Sequence, residues 1–448
     1  VKLPAELLNS LENVKGFDEK KFIALHESGE KLTSVRFNPF KQTQTDFEAT
    51  DKVLWCDKGY YLKERPSFTF DPLFHAGCYY VQEAGSMFLE HVLKNTVDLT
   101  RTLAVLDLCG APGGKSTLIN SVISSESVLI SNEVIKPRSE VLAYNLSKWG
   151  TCNTAVTNCD PQVFSKLESV FDVIVADVPC SGSGLFRKQP EAVNEWSTDN
   201  VNLCCTRQKR IIGDCISSLK NEGVLVYSTC SYSEEENEKI VEWLISEFGM
   251  EFVPIPIEKD WGLVDTGKGY RFFPYLTKSE GFFCAALRKK EGNYSTFQRK
   301  KKSTFEELSK KERTVLEDWV MPDEDHVVFK FENNYKLVNR ALYDLLNAYG
   351  SNLYFKKTGT SLGELKREDF LPDHELALSI HLNPSVNRTE LSKEQAIAFL
   401  KKENINLQSQ KGISLMTYQN FGLGWAKILD KRVNNYLPKE FRILMNYE

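Results

Sequence analysis

The chain has 448 residues, 42% of them hydrophobic and 26% charged, which is a globular composition too long for one ordinary core, so two or three domains are expected. No run of about 18 apolar residues could cross a bilayer, and the start "VKLPAELLNSLENVKGF" lacks the parts of a secretory signal, so a cytoplasmic protein is expected. A net charge of −5 excludes a uniformly basic nucleic-acid binder.

The eleven cysteines are an odd number without any C-x-x-C pair, which argues against a zinc site and against a disulfide framework. Most are expected to be reduced core residues, since a free thiol packs as a small hydrophobe.

In chain order, the first 100 residues are rich in aromatics, above all "YYLKERPSFTFDPLFHAGCYYVQEAGSMFLEHVL" (60–93). Phe70, Phe74, Tyr79 and Tyr80 read mainly as core rings. From Leu103 to Arg288, short apolar runs alternate with amphipathic stretches, the pattern of βαβ units around a mainly parallel sheet. Strands are predicted over 102–108, 127–132, 154–158, 171–178, 223–229 and 281–288.

The first strand runs into "LDLCGAPGGKST" (106–117), a turn that opens a helix and aims backbone amides at the crevice, as an anion or a polar cofactor requires. Gly114, Lys115 and Ser116 match the end of a phosphate-binding loop, but Cys109 stands at its first glycine and Pro112 removes an amide donor. Glu133 closes the second strand, where a carboxylate can accept ribose hydroxyls. The next segment, "KPRSEVLAYNLSKWG", has apolar Val141, Leu142 and Leu146 at helical spacing and Gly150 as its stop. Asp160 follows the third strand and Asp177 the fourth. This row of carboxylates suits an adenosine cofactor without phosphates, such as S-adenosylmethionine. Asp177 would also suit the magnesium of a nucleotidase, so that reading stays open.

Cys180 lies three residues past Asp177, and Cys230 occupies the equivalent loop after the next strand, in "VYSTCSYSEEENEK" (226–239). Both loops belong to the C-terminal edge of the sheet, where ligands bind. Ser233 and Glu236 have the spacing of a capping box that opens a helix with Ile240, Val241 and Leu244 on one face, so the acidic run is assigned to that helix rather than to a metal. Two cysteines and an acid beside a methyl donor suit methylation of cytosine at C5. A thiolate added at C6 makes C5 nucleophilic, an acid near N3 stabilises the adduct, and a second cysteine assists release. The residues alone leave open which cysteine attacks.

Beyond the last strand comes the basic "QRKKKSTFEELSKKER" (298–313), read as a linker, a solvated helix face or a phosphate contact. "FKKTGTSLGEL" (355–365) and "FGLGWAKILDKRVNNYLPKEFR" (421–442) indicate a small β-rich domain.

Three of these motifs, "LDLCGAPGGKST", "DVPCSGSGLFRK" and "YSTCSYSEEENE", resemble the cofactor loop, the proline-cysteine motif and the Thr-Cys-Ser motif of the Nop/Sun family of RNA cytosine-C5 methyltransferases. The resemblance extends over roughly residues 3 to 290. "FHAGCYYVQEAGSMF" and the long C-terminal extension are similar to the bacterial RsmF-like branch, which methylates 16S ribosomal RNA. The resemblance implies Cys230 as nucleophile and Cys180 as helper in product release, with Lys115 and Asp177 also touching the target base. It implies S-adenosyl-L-methionine contacts at Cys109, Gly110, Ala111, Pro112, Gly113, Gly114, Lys115, Glu133, Asp160 and Asp177, and Arg138 matches a basic position just after the ribose-binding acid. The family loop usually begins Cys-Ala-Ala, whereas Gly110 replaces the first alanine here, and Tyr275 stands where the branch usually has histidine.

The architecture so implied is α/β: a Rossmann-like doubly wound methyltransferase sheet (101–290) after an N-terminal α+β RNA-binding subdomain (1–100). A basic linker or helical segment (291–330) and a C-terminal PUA-like β-rich RNA-binding region (331–448) follow. The expected partner is ribosomal RNA or the small ribosomal subunit, approached by a monomer with no membrane and no metal. A transfer-RNA methyltransferase, a P-loop-like nucleotidase and a non-catalytic ribosome-assembly factor are the alternatives.

Overall fold

The computed structural model describes residues 3–290, 305–306, 308–367, 369–407, 409–430 and 432–445. Its N-terminal part holds helices α1 (Ala5–Leu11) and α2 (Glu19–Ser28), strands β1 (Thr33–Phe37), β2 (Ala49–Lys52) and β3 (Gly59–Leu62), and the short helix α3 (Pro72–His75). Strand β4 (Tyr79–Val81) completes an antiparallel sheet of order β2-β3-β1-β4, and α4 (Phe88–Thr96) leads away from it. Asp71 caps α3 through the amide of Leu73 and also accepts the Tyr79 hydroxyl at 2.6 Å.

All six strands expected in the middle of the chain form and join one sheet. They are β5 (Ala104–Asp107), β6 (Val128–Asn132), β7 (Thr154–Thr157), β8 (Phe171–Asp177), β9 (Leu219–Thr229) and, after the short strands β10 (Met250–Phe252), β11 (Val264–Asp265) and β12 (Tyr270–Phe272), β13 (Phe282–Lys289). Period-two alternation divides each strand between two cores: Val173 and Val175 of β8 enter one layer, Ile174 and Ala176 the other. A strand buried on both faces is the kind that pairs in parallel, and β8, β5, β6, β7 and β9 do so. Helices α5 (Gly114–Val122), α6 (Lys136–Trp149), α7 (Thr198–Cys215) and α8 (Glu238–Phe248) make the connections. Leu142 and Leu146 of α6 are buried while Val141 is exposed, and Gly150 ends the helix at a φ of 96°.

The order across the sheet is β11-β12-β13-β9-β8-β5-β6-β7, so the winding reverses at β5. Its C-terminal end is therefore the switch point at which a doubly wound sheet opens a crevice. Doubly wound α/β is the expected fold class, and the sheet has it.

The C-terminal part begins with α9 (Lys310–Glu317), β14 (His326–Phe331), β15 (Asn334–Asn339) and α10 (Arg340–Tyr349). Strand β16 (Phe355–Thr358) then returns to the central sheet and pairs antiparallel with β7 as its outer strand. β17 (Thr360–Lys366) and β18 (Asp369–Pro372) finish a sheet of order β14-β15-β17-β18. After α11 (His374–Leu378) come β19 (Arg388–Glu390), α12 (Lys393–Lys401), β20 (Gly412–Tyr418), β21 (Phe421–Ile428) and β22 (Val433–Asn435), a last four-stranded sheet. Of the basic stretch 298–313, residues 298–304 and 307 lie outside the described residues; Ser309 and Glu312 form a reciprocal capping box that opens α9.

The three parts pack on one another. Val35, Leu73 and Tyr79 share a core with Phe399, Met416 and Leu437, and the Phe70 and Phe74 rings pack against it. Lys41 stands at the junction: its buried Nζ donates to the carbonyls of Ala76 (2.8 Å), Lys148 (2.7 Å) and Leu378 (2.7 Å), one from each part. Lys41→Met would leave three buried acceptors unpaired at a cost of about 1–3 kcal/mol each. Chemical denaturation of the variant should read a loss of at least about 3 kcal/mol.

Candidate active site

The parallel register puts Asp177 of β8 beside Ser228 of β9, so the loops that leave these strands run side by side. Cys180 and Cys230 meet there as free thiols with their Sγ atoms 3.0 Å apart. Neither loop is held by repetitive hydrogen bonding. Both are held by Glu236, a fully buried carboxylate that accepts from the Ser181 amide (2.8 Å) and hydroxyl (2.5 Å), the Ser231 hydroxyl (2.6 Å) and Gln208 Nε2 (3.3 Å). Gln208 also donates to the Pro179 carbonyl, and Asn237 receives the Thr229 hydroxyl and donates to the Ser231 carbonyl.

This corrects the capping-box assignment. Helix α8 begins at Glu238 with Asn237 as its N-cap, and the Ser233 hydroxyl accepts the Glu235 amide instead. The backbone of Asn237 (φ −117°, ψ −98°) interrupts the turn that S-x-x-E spacing implied, because satisfying the donors of two buried loops outweighs one cap of about 1 kcal/mol. Ser181, Ser231, Gln208 and Asn237 were not singled out in the sequence, and Glu236 was read only as a helix cap. The available signal was a run of three glutamates and an asparagine beginning four residues past a loop cysteine.

Lys115 and Asp177 are joined as well, Nζ to Oδ2 at 2.7 Å, while Ser228 donates to the other carboxylate oxygen at 2.8 Å. Burial alone would lower the Lys115 pKa, but the charges of Asp177 and Asp107 outweigh it and hold the ammonium above its ordinary range. A lysine committed to a carboxylate is poorly disposed to cradle a triphosphate, and the Gly110 amide is already spent on the Asn132 carbonyl at 2.8 Å. These contacts weigh against the nucleotidase alternative. They also explain Gly110: a Cβ there would come within 2.8 Å of Ser116 Oγ, which donates to Asp107 at 2.6 Å.

Two cavities meet at these residues. The larger, of 840 Å³, lies over the ends of β5 and β6 and is lined by Cys109, Ala111, Glu133, Arg138, Pro161, Asp177, Cys180 and Cys230 among others. The smaller, of 290 Å³, is lined by Tyr80, Gln82, Gly110, Pro112, Gly114, Lys115 and Phe282, and again by Cys109, Ala111, Asp177 and Cys230. Asp177 and Cys230 therefore form part of a shared wall. Glu133 receives the Ile135 amide at 2.9 Å and pairs with Arg138 at 3.4 Å. Gly113, at a φ of 119°, caps α5 without lining either cavity. Asp160 lies outside both linings; it caps Gln162 and pairs with Arg210. Tyr275 is elsewhere, donating to the Gly16 carbonyl and accepting the Asp18 amide.

Cys180 is pushed well up, first by its hydrogen bond to Cys230, then by burial and the charge of Glu236. It stays protonated at neutral pH and can donate to a thiolate at Cys230. Burial likewise keeps Cys109 a thiol. Helix α8 does not begin until Glu238, so Cys180 is the nearer donor to Cys230.

Comparison with known proteins agrees in all three parts of the chain. Residues 95–288 match the family described as 16S rRNA methyltransferase RsmB/F. Residues 3–84 match the N-terminal domain of 16S rRNA methyltransferase RsmF and residues 386–443 the methyltransferase RsmF PUA domain. Ribosomal RNA small subunit methyltransferase F of Shewanella woodyi is 30% identical over 434 residues, covering 91% of this chain and 90% of the relative. The protein of that name from Vibrio parahaemolyticus is 31% identical over 442 residues, again with 91% and 90% covered. Among solved structures, a methyltransferase homolog from Pyrococcus horikoshii aligns with a TM-score of 0.52 at 26% identity, covering 64% of this chain and 100% of its own. NSun6 from the same organism, solved with SFG, aligns at 0.55 and 20% identity over 64% of this chain and 99% of its own, a likeness of fold.

Removing the Glu236 side chain should loosen both cysteine loops. Glu236→Ala would strand four buried donors and is expected to cost about 3 kcal/mol or more in urea denaturation. Asp107 gives a pH signature, because burial pushes its carboxyl up to about 7, with Asp177 adding to the rise and Ser116, Lys115 and the Cys109 amide opposing it. The folded state thus prefers the protonated form, and this stabilisation is present below pH 3.8 and lost as the pH rises through about 7. Asp107→Asn cannot ionise, so its stability relative to the parent should rise across that window, by about 4 kcal/mol in total. A difference between the two that stays flat with pH would contradict the assignment.

Proposed function

Since this chain belongs to the family of ribosomal RNA small subunit methyltransferase F, we propose that it methylates C5 of a cytosine in 16S ribosomal RNA through a covalent bond from Cys230 to C6. The observation that carries this reading is the pair of free thiols 3.0 Å apart, with Cys230 on the wall shared by two cavities. One cavity has the character of a cofactor site and the other of a base pocket.

S-adenosylmethionine is the methyl donor of the family, and the residues of the larger cavity fit it. Glu133 offers a carboxylate for ribose hydroxyls, Pro161 and Ile135 offer apolar walls for an adenine, and Cys109 and Ala111 of the glycine-rich loop border the same space. Arg138 steadies Glu133 and donates to the Ala111 carbonyl at 2.9 Å. Asp160 and Arg210 would act from the rim. When bound, this cofactor supplies the methyl carbon that ends on C5.

The remaining work belongs to the side chains. Tyr80, Gln82 and Phe282 line the smaller cavity, which suits a base turned out of its stack. The Cys230 thiolate adds to C6, making the C–S bond and driving electron density toward C5. Lys115 and Asp177 hold the pyrimidine edge and its developing charge. After C5 is alkylated, its proton passes to solvent, the C5–H electron pair re-forms the C5–C6 double bond, and the C–S bond breaks with its pair on the Cys230 sulfur. Cys180, still protonated, donates to the departing Cys230 sulfur and so assists release. The N-terminal sheet and the C-terminal region are proposed to hold the surrounding RNA.

Incubation with tritiated S-adenosylmethionine and small-subunit RNA or immature subunits should yield 5-methylcytosine after digestion. Cys230→Ser should lower the rate by at least about 10³-fold, the scale lost with a covalent nucleophile. RNA carrying 5-fluorocytosine should form a covalent complex that survives in Cys180→Ser and disappears in Cys230→Ser. The opposite pattern would exchange the roles of the two cysteines, and label in a base other than cytosine would overturn the reading.

A further inference from the structure

The turn between α6 and β7 lies at the opposite edge of the sheet from the cysteine loops, because it precedes a strand whose C-terminal end faces the crevice. Cys152, 2% exposed, sits in that turn. His326, the first residue of β14, and His381, just past α11, converge on it, and the potential ligand atoms of the three side chains all lie within 4.8 Å of one another. The two imidazoles cross edge to face with centroids 4.6 Å apart. Elsewhere His26, His75 and His91 each rest a ring nitrogen on a backbone carbonyl. His326 instead meets the Asp323 carboxylate through Nδ1 at 2.5 Å, which leaves Nε2 for another partner.

Backbone hydrogen bonds tie the three segments in place. Ile380 donates its amide to the Gly150 carbonyl at 3.0 Å, Met321 to the His381 carbonyl at 3.2 Å, and His326 to the Asp323 carbonyl at 3.1 Å. A thiol and two imidazoles are the donor set of a borderline-soft divalent ion. A carboxylate on the far nitrogen of a ligating histidine is the support that orients such a ring.

We propose that Cys152, His326 and His381 bind a zinc ion, with Asp323 orienting His326 and solvent completing a tetrahedral shell. On binding, the Cys152 thiol releases its proton to solvent, so one thiolate and two neutral imidazoles leave a single positive charge on the centre. The ion ties the start of β7 to the C-terminal region, away from the reacting cysteines, and therefore acts as a clamp between parts of the chain.

The full chain, purified without a histidine tag, should carry one equivalent of zinc by mass spectrometry. After chelator stripping, cobalt(II) should restore one equivalent with a thiolate charge-transfer band in the near ultraviolet and tetrahedral ligand-field bands in the visible. Cys152→Ser and His381→Gln should lose these bands, while the Cys180→Ser, Cys230→Ser double variant should keep them. Asp323→Asn should weaken metal affinity about 10–100-fold. Chelation should lower the thermal midpoint of the parent and leave that of Cys152→Ser unchanged. If either Cys152 or His381 variant does not fold, the parent spectrum decides. Absence of the charge-transfer band, or its loss in the Cys180, Cys230 variant, would overturn the proposal and leave a packed thiol and two rings.

Discussion

The arrangement at the sheet edge depends on one buried carboxylate. Among the described residues Glu236 forms no ion pair; its partners are hydroxyls, an amide and a glutamine from two loops and one helix. Burial raises its pKa and the donors from Ser181 and Ser231 oppose the rise, which is the balance expected when desolvation is offset by hydrogen bonding to the charged form. A carboxylate saturated in this way is costly to move. The loops it holds therefore keep their spacing, and with it the contact between the two sulfurs.

Around that fixed point, the sheet topology supplies the space. Reversal of the strand order at β5 parts the flanking connections, so the turn from Cys109 to Lys115 borders a cleft on one side and a smaller cavity on the other. The N-terminal sheet closes the smaller cavity and also stiffens the turn. Buried Arg36 donates to Gln82, Thr117 and Ser121 and stacks over Trp149 at 4.6 Å, so the first turns of α5 are anchored from outside the methyltransferase sheet. Behind the Cys230 loop, Tyr232 stacks on Phe273 and meets Phe22 of α2 edge to face. The pairing of β16 with β7 and the triple donation by Lys41 extend the same rigidity to the C-terminal part.

Much of this was legible in the sequence because it is local. Alternating apolar runs marked six strands, helical spacing of Leu142 and Leu146 before Gly150 marked α6, and small or acidic residues at strand ends marked the loops. The resemblance added a reason to weigh Cys230 and Cys180 together. Spacing failed where two structures share one pattern: Ser233 and Glu236 stand three apart whether Glu236 caps a helix or turns inward to the cysteine loops. Paired-cysteine spacing says equally little of Cys152, His326 and His381, which come from three separate segments.

What the sequence determined by itself was the set of elements, their order and the candidate chemistry, because periodicity, glycine and proline act over a few residues. What only the tertiary structure decided was partnership. It committed Lys115 to Asp177, gave the Cys180 thiol to Cys230, sent Asp160 to the rim beside Arg210 and drew Tyr275 toward α2. Each of these joins residues far apart in the chain, and each is selected because a buried polar group must find a partner in the folded molecule. No local pattern encodes which partner that is.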